Sequence, residues 1–234
     1  MMKILSVDTS GRFDAVALVD GHRTLAEFVG QARNSSLQDI ILSIGIVLGK
    51  GGLTLAEVDG LAVGIGPGFW TGMRVGLTVG KILAYATGKP LCGISSLDAL
   101  AYQSRDVSML LCPVVDAGRG NIYAGLYRSR GEVVAKEGEY SAGPIDGLLD
   151  TIEEPVLFLG DAVQAHRQTI SERLGPLANF GETGDDHRGR AIALLALARF
   201  ERGESDDTLS LVPLYLKEPL AQALLAQERK RQAP

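Results

Sequence analysis

Cysteine, histidine and tryptophan are scarce in this chain, and their scarcity excludes several kinds of chemistry. The 234 residues include two cysteines, three histidines and one tryptophan. Cys92 and Cys112 stand alone in apolar stretches, which predicts buried free thiols rather than a disulfide or metal ligands. No two histidines have a metal-ligand spacing, and no Gly-x-Ser-x-Gly motif is present. The sequence therefore predicts no metal site and gives no support for serine-hydrolase chemistry.

Positive charge and long apolar runs are lacking as well. Lys and Arg number 23 against 28 Asp and Glu, so the net charge is −5. Proteins that bind nucleic acid mainly through phosphates are usually basic, so we expect no direct binding, and the basic residues at 229–231 are interpreted as a solvated tail. No apolar run approaches the ~18 residues of a membrane span, and the N-terminus does not resemble a signal peptide. We expect a cytoplasmic protein without membrane contact.

The pattern of strands and helices occurs twice along the chain. Apolar segments predict strands at 4–7, 15–19 and 24–29, and again at 110–115, 122–127 and 132–135. The first strand of each series ends in an aspartate, Asp8 or Asp116, within a turn of small residues. Apolar spacing predicts helices at 37–48, 72–86, 96–103, 164–174 and 190–200. This repeat predicts an α/β fold of two similar lobes, of which the second is reduced.

We place the first lobe at residues 1–105 and the second at 106–212, followed by a C-terminal segment at 213–234. The helix predicted at 190–200 is expected to pack back on the first lobe. The two aspartate turns then face each other across a cleft between the lobes, which is how actin-like ATPases hold a nucleotide.

The candidate nucleotide residues are those of the two turns. They are Asp8, Thr9, Ser10 and Gly11 in the first turn and Asp116 and Gly118 in the second. Backbone N–H groups of such turns are able to cradle a phosphate, with the carboxylate near a metal or a lysine. The alternative is that each aspartate only forms an Asx turn at the end of its strand. The sequence leaves both interpretations open.

Three glycines recur every four residues in the helix predicted at 72–86. Gly72, Gly76 and Gly80 form one stripe, and each costs about 1 kcal/mol relative to alanine in a helix interior. Close approach of another backbone would offset this cost, and that backbone belongs either to the chain's own sheet or to another subunit. Arg74, in the first turn of the same helix, opposes the helix dipole and is expected to meet an anion or a carboxylate.

Four segments together resemble the TsaB (YeaZ) family. They are ILSVDTS at 4–10, GIGPGFWTGMRVG at 64–76, VDAGRGNIYA at 115–124 and PLYL at 213–216. The resemblance extends over nearly the whole chain, and the second segment is specific to TsaB and its larger relative TsaD. It implies an actin-like (ribonuclease H-like) fold that is duplicated into two lobes, with a degenerate second lobe.

The resemblance also implies a function. It is that of a non-catalytic subunit in the bacterial machinery that adds threonylcarbamoyl to the adenosine beside the anticodon in tRNAs reading ANN codons. In this family TsaD transfers the group, the TsaB subunit pairs with TsaD through helices of its first lobe, and the ATPase TsaE joins them. The resemblance implies a homodimer when the chain is alone, and only indirect contact with tRNA. TsaD holds its metal with a His-x-x-x-His motif, whereas the matching segment here, at 33–39, has no histidine.

The predicted subunit interface combines two helices of the first lobe. Its residues are Leu37, Ile40, Ile41, Ile44, Gly72, Arg74, Val75, Gly76, Val79, Gly80 and Leu83. No cofactor is assigned, and ATP or ADP at the subunit junction is left open. The segment Gly160–Ala162 offers one glycine on the adenosine side, so we expect no tight ATP binding by one chain.

Two rival functions are retained. The first is a small actin-fold, ATP-dependent kinase that uses Asp8 and Asp116 around Mg-ATP, and it predicts micromolar nucleotide affinity in the isolated chain. The second is a protease, for which the sequence offers no pairing of a nucleophile with a base.

Overall fold

The computed structural model describes residues 1–31, 37–130, 133–181 and 187–216. The strands in these ranges are β1 (Lys3–Asp8), β2 (Phe13–Asp20), β3 (Arg23–Gln31), β4 (Gly60–Gly66), β5 (Leu91–Ser95), β6 (Leu110–Gly118), β7 (Asn121–Arg130), β8 (Val133–Gly143), β9 (Val156–Leu159) and β10 (Ala178–Phe180). The helices are α1 (Leu37–Gly51), α2 (Trp70–Thr87), α3 (Ser96–Gln103), α4 (Ile145–Leu149), α5 (Val163–Leu174) and α6 (Arg188–Glu201). The C-terminal segment predicted at 213–234 lies outside the described residues from 217 onward.

The two sheets have the same topology. The first has the strand order β3-β2-β1-β4-β5 and the second the order β8-β7-β6-β9-β10. In each sheet the central strand, β1 or β6, pairs antiparallel with the next strand of a meander and parallel with a strand that follows a helix. Because each strand of the second sheet has a counterpart at the same place in the first, the order confirms the predicted α/β, actin-like fold of two duplicated lobes.

The first sheet is covered by helices on both faces. Successive side chains of a strand point to opposite faces, so Ile4 packs in the core on the α6 side while Leu5 packs in the core on the α1 and α2 side. Small residues such as Ala193 and Ala196 are fully buried and let α6 approach the sheet closely. The helix α6 thus belongs to the first sheet although it follows the second lobe in the chain.

The second sheet has shorter helices on its outer face. The helix α4 has five residues, whereas its counterpart in the first lobe, α1, has fifteen. The helix α5 has twelve residues, whereas its counterpart, α2, has eighteen. Phe158 of β9 and Ile170 of α5 are fully buried in the core between this sheet and its helices. The second lobe is therefore a complete sheet with a reduced helical layer, as predicted.

The helix α3 joins the two lobes. It begins after Ser95, whose hydroxyl oxygen accepts hydrogen bonds from the Leu97 and Asp98 backbone N–H groups at 3.2 and 3.5 Å. The Asp98 carboxylate then accepts hydrogen bonds from the phenols of Tyr127 at 2.6 Å and Tyr140 at 3.1 Å, both on the second sheet. Burial, and secondarily the charge of Asp98, raises the pKa of both phenols, so both stay protonated donors.

Replacing Tyr127 with phenylalanine removes one of these hydrogen bonds and leaves a part-buried carboxylate with one phenol fewer. We expect the free energy of unfolding of Tyr127→Phe to fall by about 1.5–3 kcal/mol in urea denaturation, the usual range for hydrogen bonds to charged groups. Tyr85→Phe is the control, because Tyr85 is 78% exposed on α2 and should leave stability unchanged. Equal unfolding free energies for the two variants would contradict a joining role for the Asp98 cluster.

Candidate functional site

The two aspartate turns have the same local geometry. The Asp8 Oδ1 atom accepts a hydrogen bond from the Ser10 backbone N–H at 2.9 Å, and the Asp116 Oδ1 atom accepts one from the Gly118 N–H at 2.7 Å. Both are Asx turns, in which the side chain replaces a missing backbone partner. The cleft between the lobes therefore has one such turn on each side.

The first turn is closed by a side chain from α6. Asp8 and Arg188 have fully buried side chains, and the Arg188 Nε atom lies 3.2 Å from the Asp8 Oδ2 atom. A Cβ atom added at Gly11 would overlap the Arg188 guanidinium, and one added at Gly64 would overlap the Asp8 carboxylate. The space beside Asp8, where a phosphate-bound metal would have to lie, is filled by the chain itself.

The remaining side chains of the first turn also have internal partners. The Thr9 hydroxyl donates to the Gly72 carbonyl at 2.5 Å and accepts from the Gly76 N–H at 2.9 Å, so it stands between two groups of the α2 backbone. The Ser10 hydroxyl is 2.7 Å from the Ser96 hydroxyl at the start of α3. These contacts fix the first turn to both neighbouring helices.

The second turn is open. Gly118, Arg119 and Gly120 have positive φ values of 75°, 57° and 73°, and a Cβ atom added at either glycine would meet nothing within 4 Å. The Asp116 N–H donates to the Asp161 Oδ1 atom at 3.0 Å. Arg12, from the first lobe, lies 3.8 Å from the other carboxylate oxygen of Asp161. The two sides of the cleft are thus linked by an ion pair between side chains.

The glycines of α2 face the chain's own sheet. A Cβ atom at Gly72 would overlap the Thr9 carbonyl, one at Gly76 would lie 2.5 Å from the Thr9 hydroxyl, and one at Gly80 would overlap Val63 of β4. Only residues without a side chain allow β1 and β4 to lie this close to α2. The interpretation that this stripe contacts another subunit is wrong, and the alternative, packing on the chain's own sheet, is confirmed.

The other predicted interface residues divide between core and surface. Ile40, Ile44 and Val79 are 1%, 5% and 1% exposed and belong to the core under the first sheet, so they cannot contact another subunit. The prediction of these three residues as interface residues is wrong, because they are core residues. Helical spacing predicted the two helices but did not distinguish their inner faces from their outer faces. Val75 and Leu83 are half-buried. Leu37 and Ile41 are each 47% exposed.

The neighbouring helices α1 and α2 both expose apolar residues, and we call this set of residues the outer helical face. It consists of Leu37, Ile41, Leu42, Gly45, Ile46 and Gly49 of α1 and Ile82 and Tyr85 of α2. A Cβ atom added at Gly45 or at Gly49 would meet nothing within 4 Å. Gly45 and Gly49 of α1, four residues apart, therefore border open space, unlike the glycine stripe of α2.

Among the described residues, Arg74 contacts two aromatic side chains. Its guanidinium lies 4.4 Å from the centre of the Trp70 ring, and its Nε atom donates to the Tyr215 hydroxyl at 3.2 Å. Trp70 and Tyr215 are stacked with ring centres 4.2 Å apart. Arg74 thus forms a cation–π contact and a hydrogen bond that attach Tyr215, in the C-terminal segment, to α2. The expectation that Arg74 meets an anion or a carboxylate stays a prediction.

The thiols and the acidic residues give no catalytic arrangement in the described part of the chain. Both cysteines are buried, and burial raises the pKa of Cys92 to about 11 and that of Cys112 further, so neither is a thiolate nucleophile. Among the described residues, no three His, Cys, Asp or Glu side chains are grouped as metal ligands. No described helix has the length and apolar character needed to cross a bilayer.

Comparison with solved structures defines the class of protein. The structure of YeaZ from Pseudomonas aeruginosa superposes with a TM-score of 0.76 at 24% identity, covering 92% of this chain and 100% of that one. Component A of (R)-2-hydroxyglutaryl-CoA dehydratase from Acidaminococcus fermentans superposes with a TM-score of 0.52 at 10% identity, covering 85% and 98%. Both likenesses concern the fold, which is the actin-like fold of two lobes.

Comparison of sequences defines the family. The model of the family "TsaD: tRNA N6-adenosine threonylcarbamoyltransferase" matches residues 30–224. The tRNA threonylcarbamoyladenosine biosynthesis protein TsaB of Bacillus subtilis (strain 168) is 30% identical over 233 residues, 98% of this chain and 100% of the relative. The protein of the same name from Haemophilus influenzae is 28% identical over 229 residues, 92% and 94% of the two chains. The chain belongs to the TsaB (YeaZ) family and has a role in tRNA threonylcarbamoyladenosine biosynthesis.

Alanine substitutions at two helical glycines test the division between inner and outer faces. Gly72→Ala places a methyl group against the Thr9 backbone, and we expect it to lower the free energy of unfolding by about 1–3 kcal/mol, the cost of overpacking. Gly45→Ala, with open space around it, should raise the free energy of unfolding by about 1 kcal/mol through helix propensity. Urea denaturation measures both, and a stabilised Gly72→Ala variant would contradict the packing described here.

Proposed function

We propose that the chain is a non-catalytic subunit that binds TsaD, and TsaE through it, in the threonylcarbamoylation of the adenosine beside the anticodon in tRNAs reading ANN codons. The observation that carries this proposal is the outer helical face, because it is an apolar surface that the described part of the chain leaves uncovered. Contiguous exposed apolar surface in a water-soluble domain usually marks a site of protein association.

The side chains of the outer helical face support a helix as the occupant. Leu42 is 66% exposed, Ile82 is 54% exposed and Tyr85 is 78% exposed, so both helices present large apolar groups at the surface. Glycines on a helix surface allow a second helix to approach at short interaxial distance. No atom of the described residues packs against Gly45 or Gly49 to compensate their helix-propensity cost, and a closely packed partner helix would supply that compensation. We propose the same surface for the homodimer that forms when TsaD is absent.

The buried pair of Asp8 and Arg188 supports the non-catalytic part of the proposal. A kinase needs the aspartate of this turn to face Mg²⁺ and phosphate, whereas here it faces a guanidinium and both groups are fully buried. The Thr9 and Ser10 hydroxyls are likewise engaged with α2 and with Ser96. The first turn therefore serves as a structural junction.

The kinase remains the second candidate because the turn at Asp116 is open. Its glycines have free space around them, which is compatible with an approaching phosphate. This candidate requires Arg188 to leave Asp8 when a nucleotide binds, and it predicts micromolar affinity for Mg-ATP in the isolated chain.

Substitution of Gly45 tests the partner surface. Gly45→Trp places a large side chain where the partner helix would approach, and we expect affinity for TsaD, measured by calorimetry, to fall at least tenfold, about 1.4 kcal/mol. The matched control is Gly147→Trp, at an exposed helical glycine of α4 that also has open space around it. Because both positions are open, both variants should fold.

The controls decide how this result is interpreted. Equal losses of affinity in Gly45→Trp and Gly147→Trp, or no loss in Gly45→Trp, would refute the assignment of the outer helical face. Sedimentation of the chain alone provides the second readout, in which Gly45→Trp should shift a homodimer toward monomer while Gly147→Trp should not.

Titration with ATP and Mg²⁺ separates the subunit from the kinase. We expect no saturable binding by the isolated chain up to millimolar ATP, because Arg188 occupies the position beside Asp8. Micromolar binding would favour the kinase instead. The same titration in the presence of TsaD tests whether ATP or ADP binds at the subunit junction. A binding heat that is measured only when both proteins are present would support that location.

A further inference from the structure

A second concave site lies outside the cleft and the outer helical face. It is a cavity of about 140 Å³ between the end of α3 and the first turns of α6. The residues that line it are Tyr102, Gln103, Arg105, His187, Arg190, Ala191 and Leu194. Arg188 lies between two of these residues in sequence but points to Asp8, so the cavity and the closed turn are on different sides of the start of α6.

The cavity is lined by several hydrogen-bond donors and by positively charged side chains. Two guanidiniums, of Arg105 and Arg190, and the His187 imidazole share it, and none of the described lining residues is acidic. The Glu27 carboxylate lies 4.0 Å from His187 Nδ1 and interacts electrostatically with Arg190. One carboxylate beside two guanidiniums and an imidazole leaves the site with an excess of positive charge.

Gln103 adds an independent sign of a missing acceptor. Its Nε2 atom is buried and has no hydrogen-bond partner among the described residues. Buried amide groups in folded proteins are nearly always hydrogen-bonded. A ligand that accepts hydrogen bonds in this cavity would satisfy the amide.

The guanidinium of Arg105 is already held in place. It lies 4.7 Å from the centre of the Tyr102 ring, and its Nη1 atom donates to the Tyr102 carbonyl at 3.3 Å. An arginine has five N–H donors, so others remain for a ligand. The cavity also adjoins the N-terminal end of α6, the positive end of a fourteen-residue helix.

We propose that this cavity binds a phosphate group, either of a small phosphorylated ligand or of a nucleic-acid backbone. Two guanidiniums carry two positive charges, and a phosphate offers more oxygens and more negative charge to them than a carboxylate does. The cavity volume suits a single phosphoryl group rather than a whole nucleotide. This inference does not depend on the proposed binding of TsaD.

The full chain in low-salt buffer is titrated with inorganic phosphate and followed by calorimetry and ³¹P NMR. Saturable binding is expected, and Arg190→Gln should weaken it about tenfold, since each charge-assisted contact is strong in a concave site. Arg105→Gln should weaken it similarly. The control is Arg173→Gln, which removes the same charge from α5, where Arg173 pairs with Asp146 and Asp150, and it should leave phosphate affinity unchanged.

The two sources of the phosphate group are distinguished by competition. An RNA hairpin that displaces inorganic phosphate from the wild type, but binds Arg190→Gln less tightly, would assign the site to a nucleic-acid backbone. Failure of RNA to compete while phosphate still binds would assign it to a small ligand, and both results support a phosphate site. Absence of saturable phosphate binding, or equal affinity in wild type, Arg190→Gln and Arg173→Gln with unchanged melting temperatures, would overturn the proposal.

Discussion

The ion pair between Asp8 and Arg188 determines how the rest of the molecule is arranged. It connects the end of the central strand β1 to the start of α6, and both charged groups are completely removed from water. Breaking a buried pair by removing one partner typically costs about 3–5 kcal/mol, because the other charge is left uncompensated. The pair therefore holds α6 against the first sheet, and its guanidinium occupies the position beside Asp8.

The aspartate turns of the two lobes have different surroundings, although the two sheets have the same topology. In the first lobe, the hydroxyl of Thr9 stands between Gly72 and Gly76, so the aspartate turn and α2 are held in one fixed relation. In the second lobe, Gly118 and Gly120 border open space, and the helices outside the sheet are shorter. The first lobe thus combines a rigid inner junction with an outer helical layer that residues 1–31, 37–130, 133–181 and 187–216 leave uncovered, an arrangement suited to contact with another protein.

Much of the fold could be predicted from the sequence, because its longer elements have clear apolar periodicity and are bounded by glycine or aspartate. The bounds of α3 match the prediction, whereas Ile145–Leu149 and Ala178–Phe180 were missed because three to five residues give too little periodicity. Within the site, the aspartate turns are visible in the sequence. The role of Arg188 is not, since an arginine at a helix start usually faces solvent. The α1 sequence is apolar on nearly all sides, so its pattern could not separate Ile40 in the core from Ile41 on the surface.

The stack of Trp70 on Tyr215 has a spectroscopic consequence. Trp70 is the one tryptophan of the chain. Its ring stacks on the Tyr215 phenol and also contacts the Arg74 guanidinium. Its fluorescence therefore originates from a single place, the point where the chain near Tyr215 is attached to the beginning of α2. The quenching and the emission wavelength of Trp70 fluorescence would change if Tyr215 separated from α2. The fluorescence of the unlabelled chain would therefore report whether this contact is formed.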